Sequence, residues 1–411
     1  MGGPVKTLTT SETVSFSKVP AFGQSCPNCG GHDVHRFYEA KDIPVHSCLL
    51  MDTRDEAVSY PRHELRLGFC DTCGFIYNTV FDPGRHEYSP RYEETQGFSP
   101  HFNSFASSLA ERLVRQYNIR DRDVLEIGCG KGEFLTLLCR LGPNRGIGID
   151  PAFVPQRSVD AGRDVQFIQD FYGERYAHLP ADVVCCRHTL EHIAPTGEFM
   201  RTLRRTIGDR SETLVFFEVP DVMRELREGA FWDLYYEHCS YFSGGSLARL
   251  FRRSGFDLVE LYTDYGNQYL MVIATPALEG PQVPVDGEDD LGALRDAVDS
   301  FGAVCGERMC YWRERIVQDL DSGQRTVVWG SGSKGVAFLT TLGLVDEIEY
   351  VVDINPYKHG KFMPGTGQRI IAPEYLVDYQ PATIIIMNPV YLEEISRDLD
   401  RLGVEAELVT V

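Results

Sequence analysis

Residues 125–135 read Leu-Glu-Ile-Gly-Cys-Gly-Lys-Gly-Glu-Phe-Leu, a short apolar strand that runs into three alternate glycines and then into a helix. The glycines let the backbone turn sharply and approach a ligand closely, because no Cβ blocks the approach. A second strand, 146–149, ends in Asp150. An acid about 20 residues past such a loop is placed to hold a pair of ribose hydroxyls. The two features predict a nucleotide-like ligand on a doubly wound sheet.

Glu126, directly before the glycines, separates this stretch from the dinucleotide pattern, whose glycines cradle an anionic pyrophosphate. A carboxylate at that place suits a cationic ligand better. The stretch resembles the first motif of class I S-adenosylmethionine (SAM) methyltransferases, in which the position of Asp170-Phe171 usually lies against the adenine. The resemblance implies that SAM is the cofactor and that it is bound by Glu126, Gly128, Gly130, Gly132, Asp150, Asp170 and Phe171. The competing interpretation is a glycine turn in another doubly wound domain.

Length and composition describe a globular chain of two or three domains, with 411 residues of which 43% are apolar and 24% charged. The net charge of −20 argues against a nucleic-acid partner, because phosphate binding needs a basic face. We find no apolar segment of the roughly 20 residues that span a bilayer, and residues 1–20 lack the apolar core of a signal peptide. Twelve cysteines in such a chain indicate reduced thiols and a metal rather than disulfides, and we expect a cytoplasmic protein.

Strand-like and helix-like segments alternate along most of the chain, and we expect three domains, at 1–88, 89–277 and 278–411. The alternation predicts a parallel, doubly wound sheet in the middle domain, closed by an antiparallel pair. The same pattern, resumed after a linker and a long helix, predicts a Rossmann-like carboxyl-terminal domain. The predicted strands are 124–127, 146–149, 165–168, 182–186, 214–218, 258–262, 269–274, 326–329, 348–353, 383–387 and 407–411, with the linker at 276–291 and the helix at 294–320.

The amino-terminal region carries two zinc-knuckle turns, Cys26-Pro-Asn-Cys29-Gly and Cys70-Asp-Thr-Cys73-Gly. Each turn places two thiolates side by side, and two such turns complete a tetrahedral site of four sulfurs. Four thiolates leave no open coordination position, so the pattern predicts a structural zinc ion. Two independent thiol pairs or a redox motif are the alternative, which does not account for the glycine after each pair.

A second chemical stretch follows the fifth strand, where residues 231–243 read Phe-Trp-Asp-Leu-Tyr-Tyr-Glu-His-Cys-Ser-Tyr-Phe-Ser. It places Tyr235, Glu237 and His238 within four positions, and in a helix Tyr235 and His238 would share one face. An imidazole beside a carboxylate and a phenol is a competent general base. An aromatic cluster that served packing alone would not need Glu-His at its centre, so the stretch predicts a catalytic group.

Two histidines, His188 and His192, follow the fourth strand at the edge of the sheet where ligands of such sheets bind. Either could reach the transferred methyl group or its acceptor. A histidine packed under the sheet is the competing interpretation, and it applies more to His188 than to His192.

The carboxyl-terminal unit has its own glycine-rich turn, Gly330-Ser-Gly-Ser-Lys-Gly335. Its backbone N–H groups and a helix N-terminus could cradle phosphates, with Lys334 adding charge. Asp353 stands where the ribose-binding acid of a dinucleotide domain would stand. The residues predicted to bind a second, nucleotide-like ligand are Gly332, Lys334, Asp353, Asn355 and Lys358. A Rossmann fold used only for packing is the alternative.

These features together resemble the three-domain sugar C-methyltransferases of antibiotic deoxysugar pathways, over essentially the whole chain. Members of that family act on nucleotide-linked 4-keto sugars. The resemblance implies that the carboxyl-terminal domain helps to hold the nucleotide-sugar. It also implies a catalytic group of Tyr235, Glu237 and His238, with His192 as a partner and Tyr77 contributed by the zinc domain. Two segments, 43–48 and 88–99, depart from the family pattern.

A carbon acceptor must lose a proton before it can take a methyl group, whereas oxygen and nitrogen offer a lone pair. We therefore expect His238, oriented by Glu237 or Tyr235, to form an enolate beside a keto group, with Tyr77 or His192 stabilising the enolate oxygen. The alternatives are O- or N-methylation of a small metabolite, an RNA methyltransferase with a zinc ribbon, and a binding protein that senses SAM without catalysis.

Overall fold

The computed structural model describes residues 7–8, 25–85, 91–157, 164–278 and 282–411. The boundary predicted between residues 88 and 89, and the start of the divergent segment 88–99, lie outside these ranges, as does most of the polar start of the chain. The domain boundaries stay predictions. Across the described ranges, we find no helix with the length and apolar character needed to cross a membrane.

The described strands and helices alternate through most of the chain. The strands are β1 Thr7–Leu8, β2 Val34–Pro44, β3 Arg62–Cys70, β4 Ile76–Asn78, β5 Asp123–Ile127, β6 Arg145–Ile149, β7 Val165–Ile168, β8 Val183–Arg187, β9 Leu214–Pro220, β10 Ser240–Tyr241, β11 Phe256–Asp264, β12 Tyr269–Pro276, β13 Thr326–Trp329, β14 Tyr350–Val352, β15 Arg369–Ile371, β16 Thr383–Ile386 and β17 Glu407–Thr410. The helices are α1 Arg54–Ser59, α2 Pro100–Gln116, α3 Glu133–Leu141, α4 Thr196–Ile207, α5 Val222–Glu228, α6 Gly244–Arg253, α7 Leu291–Asp321, α8 Ser333–Leu342, α9 Leu376–Tyr379 and α10 Leu392–Leu402.

The central sheet has eight described strands in the order β1-β7-β6-β5-β8-β9-β12-β11. The first six are parallel, and β12 and β11 add an antiparallel pair beside β9. This is the doubly wound sheet of class I methyltransferases, with the closing pair that the sequence predicts. The carboxyl ends of β5, β6 and β8 meet at one edge, which is where ligands bind in such sheets.

The glycine loop after β5 depends on glycine for two reasons. Gly128 and Gly132 have φ angles of +71° and +82°, a region that side chains with a Cβ rarely adopt. A Cβ on Gly128 would also lie 1.9 Å from Thr189 Oγ1, and one on Gly132 would lie 2.3 Å from the Phe167 ring. The loop therefore packs too closely against its neighbours for any larger residue.

The smaller amino-terminal sheet has the order β10-β4-β3-β2 and is antiparallel. Its edge strand β10 comes from the stretch 231–243, so the predicted catalytic residues are attached to this sheet as well as to the central one. In the opposite direction, β1 joins the central sheet beside β7. Each of the two sheets thus contains one strand that is far in sequence from its other strands: β1 in the central sheet and β10 in the amino-terminal sheet.

The carboxyl-terminal sheet is parallel, in the order β15-β14-β13-β16-β17, a Rossmann-like arrangement. The sequence pattern missed its short edge strand β15. The long helix α7 packs between the amino- and carboxyl-terminal sheets: Phe301 lies 5.3 Å from the Tyr38 ring and Trp312 lies 5.6 Å from the Phe338 ring, centre to centre. This shared core holds the outer sheets around the ligand edge of the central sheet.

Candidate active site

One cleft of about 1420 Å³ runs between the three sheets. Its walls include the glycine loop 128–132, the histidines after β8, the turn 235–238 and the carboxyl-terminal loop 330–335. A pocket for a single small ligand usually measures about 300–1,000 Å³. The cleft therefore has room for a methyl donor and an acceptor together.

At the donor end, Asp150 is held against the glycine loop. Its Oδ2 accepts a hydrogen bond from Gly130 N at 2.9 Å, and its Oδ1 accepts one from Ala152 N at 2.7 Å. Burial nevertheless raises the pKa of Asp150 to about 6. The carboxylate is thus fixed in the wall of the cleft, where the sequence places a ribose-binding acid.

Glu126 lies at the base of the same loop and is buried, with 2% of its surface exposed. Burial raises the pKa of Glu126 to about 8. Its Oε2 has no hydrogen-bond partner among the described residues. A buried carboxyl with an open oxygen is costly unless a ligand satisfies it, and the ammonium and sulfonium groups of SAM have the charge to do so.

Asp170 and Phe171 line the cleft beyond β7. Tyr176 donates its hydroxyl proton to Asp170 Oδ2 at 2.5 Å, and Arg175 forms an ion pair with Oδ1. Phe171 is 37% exposed and lines the cleft. Contact with the adenine stays a prediction for both residues.

The predicted catalytic residues Tyr235, His238 and His192 meet in the middle of the cleft. The His238 ring lies 4.1 Å from the Tyr235 ring and 4.8 Å from the His192 ring, centre to centre. Burial and the neighbouring His192 hold the pKa of His238 well below its ordinary value. The segment is a turn, with His238 N donating to Tyr235 O at 3.2 Å, and not the helix considered from the sequence. The side chains come together all the same.

Glu237 forms its hydrogen bonds with residues outside this group. Its Oε1 accepts hydrogen bonds from the amide and the hydroxyl of Ser47, and its Oε2 accepts one from the Tyr92 hydroxyl at 2.7 Å. The His46 ring contributes an ion-pair contact at 3.6 Å. Its side chain is not among those that form the cleft in the described part of the chain. This carboxylate therefore fastens Ser47 and Tyr92, which belong to the two divergent segments, to the turn 235–238. Its role in orienting His238 stays a prediction.

Tyr77 also lies outside the cleft formed by the described residues. It pairs with Ser240 across β4 and β10, and its ring stacks on Phe75 at 5.5 Å. Burial and the nearby thiols raise the pKa of Tyr77 to about 12. Its predicted contribution to catalysis stays a prediction that this placement does not support.

At the acceptor end, Asp353 closes the carboxyl-terminal loop. Its Oδ2 accepts hydrogen bonds from Ser331 N at 3.0 Å and from Ser331 Oγ at 2.5 Å, and it pairs with Lys358 Nζ at 3.4 Å. Helix α8 begins at Ser333 without a side-chain cap, and the residues of its first turn line the cleft. The cleft is lined by the five predicted residues Gly332, Lys334, Asp353, Asn355 and Lys358.

Sequence reasoning missed the role of segment 91–98, which covers the glycine loop. Lys131 Nζ contacts Tyr92 O at 3.1 Å and the Glu94 carboxylate at 3.2 Å. Glu93 is buried between Arg157 and Asn355, whose Nδ2 donates to it at 2.9 Å. The segment thus connects the central and the carboxyl-terminal sheets. The sequence shows the charged residues of this segment, but it does not show that Glu93 contacts Asn355, which lies 262 residues away.

The four cysteines of the two knuckles converge as predicted. Cys26 Sγ lies 3.7 Å from Cys73 Sγ, and Cys29 Sγ lies 3.6 Å from Cys70 Sγ. A tetrahedron with zinc–sulfur bonds of about 2.3 Å has sulfur–sulfur edges of about 3.8 Å. The cluster therefore fits a structural zinc ion, which would join the two turns into one unit.

Comparisons with known proteins agree with this geometry. Residues 101–261 match a methyltransferase domain, and residues 300–408 match a C-methyltransferase C-terminal domain. The C-methyltransferase NovU of Streptomyces niveus is 29% identical over 303 residues, which cover 70% of this chain and 71% of NovU.

Solved methyltransferases resemble this chain more distantly. Magnesium protoporphyrin IX methyltransferase (ChlM) of Synechocystis PCC 6803, with bound S-adenosylhomocysteine (SAH), is 15% identical and covers 43% of this chain and 84% of its own, with a TM-score of 0.33. The DhpI–SAH complex is 20% identical over 44% of this chain and 88% of its own, also with a TM-score of 0.33. The two domain matches and the similarity to NovU identify the chain as a SAM-dependent methyltransferase that is similar to a C-methyltransferase over 70% of its length.

Proposed function

We propose that this C-methyltransferase methylates the carbon beside a keto group in a nucleotide-linked sugar. His238 is the base that removes the proton from that carbon. The carbon–hydrogen bond breaks, the proton goes to an imidazole nitrogen, and the electron pair moves onto the keto oxygen as an enolate. The enolate carbon then takes the methyl group of SAM, and the pair of the carbon–sulfur bond stays on sulfur, which leaves SAH.

The observation that carries the proposal is the place and state of His238. It lies in the cleft that joins the glycine loop 128–132 to the carboxyl-terminal loop 330–335. Because its pKa lies well below the ordinary value, its lone pair is available at neutral pH. Methyl transfer to oxygen or nitrogen has less need of such a base.

The acceptor end of the cleft supports a nucleotide-linked substrate. The open N-terminus of α8 and the side chains of Lys334 and Lys358 favour a diphosphate. The keto sugar would then extend toward His238, while SAM occupies the opposite loop. The cleft volume of about 1420 Å³ leaves room for both ligands.

The test compares His238→Asn with the matched exposed variant His178→Asn. A nucleoside-diphosphate 4-keto sugar is incubated in deuterium oxide without SAM, and exchange at the neighbouring carbon is followed by NMR. We expect exchange with the native protein and with His178→Asn, and no exchange with His238→Asn. SAH binding, measured by calorimetry, should be the same in all three.

The position of the methyl group in the product is the second readout. A new carbon–carbon bond beside the keto group supports the proposal. A methyl group on oxygen or nitrogen, or full turnover by His238→Asn, contradicts it.

A further inference from the structure

A second carboxylate faces the base, and the sequence did not single it out. Glu191 lies on a single 3-10 turn, Leu190–His192, at the end of β8, and lines the cleft with 1% of its surface exposed. One side-chain atom each of Glu191, His192 and His238 can be chosen so that all three lie within 4.8 Å of one another. Neither oxygen of Glu191 has a hydrogen-bond partner among the described residues.

His188 holds Glu191 in this position. Its Nε2 hydrogen-bonds Glu218 Oε1 at 3.0 Å, and its Nδ1 lies 3.6 Å from Glu191 Oε1. Although burial disfavours the charged ring, the Glu218 and Glu191 carboxylates raise the pKa of His188 to about 9. The residue has φ +45°, a conformation that a non-glycine residue rarely adopts without a constraint.

Most of the charged groups around His238 disfavour its protonation. His192, His188 and Lys334 each disfavour a positive charge on its ring, and the Tyr235 and Tyr241 rings flank it. The Glu237 carboxylate favours the charge, but its oxygens are engaged by Ser47 and Tyr92. The imidazolium that forms when the base takes a proton therefore needs another counter-charge.

We infer that Glu191 is a positioning residue whose carboxylate, held by His188, stabilises the positive charge that His238 acquires, directly or through His192. The inference rests on the proposed function, in which His238 is the base. The His238 imidazole is neutral and can accept a proton before the reaction. Once it has taken the proton, the Glu191 carboxylate balances its positive charge. Glu191 thus adds a counter-charge for His238, and the role of Glu237 in orienting His238 stays a prediction.

The test is Glu191→Gln, which removes the charge and keeps the shape, beside the exposed control Glu212→Gln. We expect kcat to fall about 10- to 100-fold in Glu191→Gln, with unchanged SAH affinity and unchanged KM for the keto sugar. Loss of the negative charge lowers the pKa of His238, so the acid limb of the kcat/KM profile should move to lower pH. Glu191→Asp, which restores the charge, should return part of the rate.

An acid limb that stays in place overturns the inference, as does a native kcat in Glu191→Gln. A structural role alone would lower activity and Tm together without moving the limb. The proposed function fails separately, through a methyl group on oxygen or nitrogen or through absence of deuterium exchange in the native protein. The pH profile of kcat/KM for Glu191→Gln is measured whichever atom of the substrate is methylated.

Discussion

The two glycine loops of this protein have the same architecture and different electrostatics. In each, an acid after the second strand of its unit accepts a hydrogen bond from a loop amide: Gly130 N to Asp150 Oδ2 at 2.9 Å, and Ser331 N to Asp353 Oδ2 at 3.0 Å. The cleft lies between the two loops. Two loops of the same type thus lie on opposite sides of one cleft, and we expect each loop to bind a different ligand.

The charged neighbours of the two acids make the difference. Burial raises the pKa of Asp150 to about 6, and the buried Glu126 adds a second carboxyl close by. Burial would also raise the pKa of Asp353, but Lys358 and the Ser331 hydrogen bonds lower it. The first loop presents two buried carboxyls whose ionised form a cationic ligand such as SAM would stabilise, whereas the carboxylate of the second loop is already paired with Lys358. Side chains beside a glycine loop, more than the loop itself, select the ligand.

The largest effect should follow loss of a zinc ion from the four-cysteine cluster of the amino-terminal region. Cys73 O accepts a hydrogen bond from Arg249 of α6, so one knuckle contacts a helix that follows the central strands. Treatment with a chelator, or Cys29→Ser, should lower turnover about 100-fold or more while SAH affinity changes little, because the donor loop lies on another sheet. Cys310→Ser, at an exposed cysteine of α7, is the control. Equal loss of SAH binding would show that the two ends of the cleft do not fold separately.

The next effect distinguishes the glycines of the two loops. Gly128→Ala should weaken SAH binding about 100-fold, because φ is +71° and the new Cβ would overlap Thr189. Gly332→Ala should fold and bind SAH normally, since its φ is −79° and a Cβ there has no atom of the described residues within 4 Å. Calorimetry with SAH and thermal unfolding measure both. A native affinity in Gly128→Ala would mean that the loop shifts to accept a side chain.

A smaller, pH-dependent effect belongs to Glu126. Its carboxyl has a pKa of about 8 without ligand, so a cationic ligand must displace a proton at neutral pH. SAM affinity should therefore rise as pH rises from 6.5 to 8, by at most about 10-fold per unit, with proton release detectable by calorimetry in two buffers. Glu126→Gln should bind SAM with little pH dependence over this range. Persistence of the dependence in that variant would assign it to another group, such as Asp150.

The donor loop could be predicted from sequence because its parts are close together in the chain. The glycines, Glu126 and Asp150 span one strand–helix–strand unit, and local geometry places them. Glu237 could not be placed in this way, since its partners Ser47 and Tyr92 lie 190 and 145 residues away. The His188–Glu191 pair is an intermediate case: a spacing of three residues after a strand was visible, but its function depends on His238 from another turn.

The smallest effect concerns Lys334, at the end of the cleft where we expect the diphosphate to bind. Lys334 pairs with Asp233, which Arg224 also contacts at 2.6 Å, so loss of the lysine leaves that carboxylate paired. Lys334→Met should weaken binding of a nucleoside diphosphate about 5-fold without changing SAH affinity, and the exposed variant Lys41→Met should change neither. Raising the salt concentration should weaken nucleoside diphosphate binding more in the native protein than in Lys334→Met, because the lysine charge is partly screened. Equal salt dependence in both proteins would show that the diphosphate does not bind beside Lys334. The predicted difference between the ligands of the two loops would then lose its support.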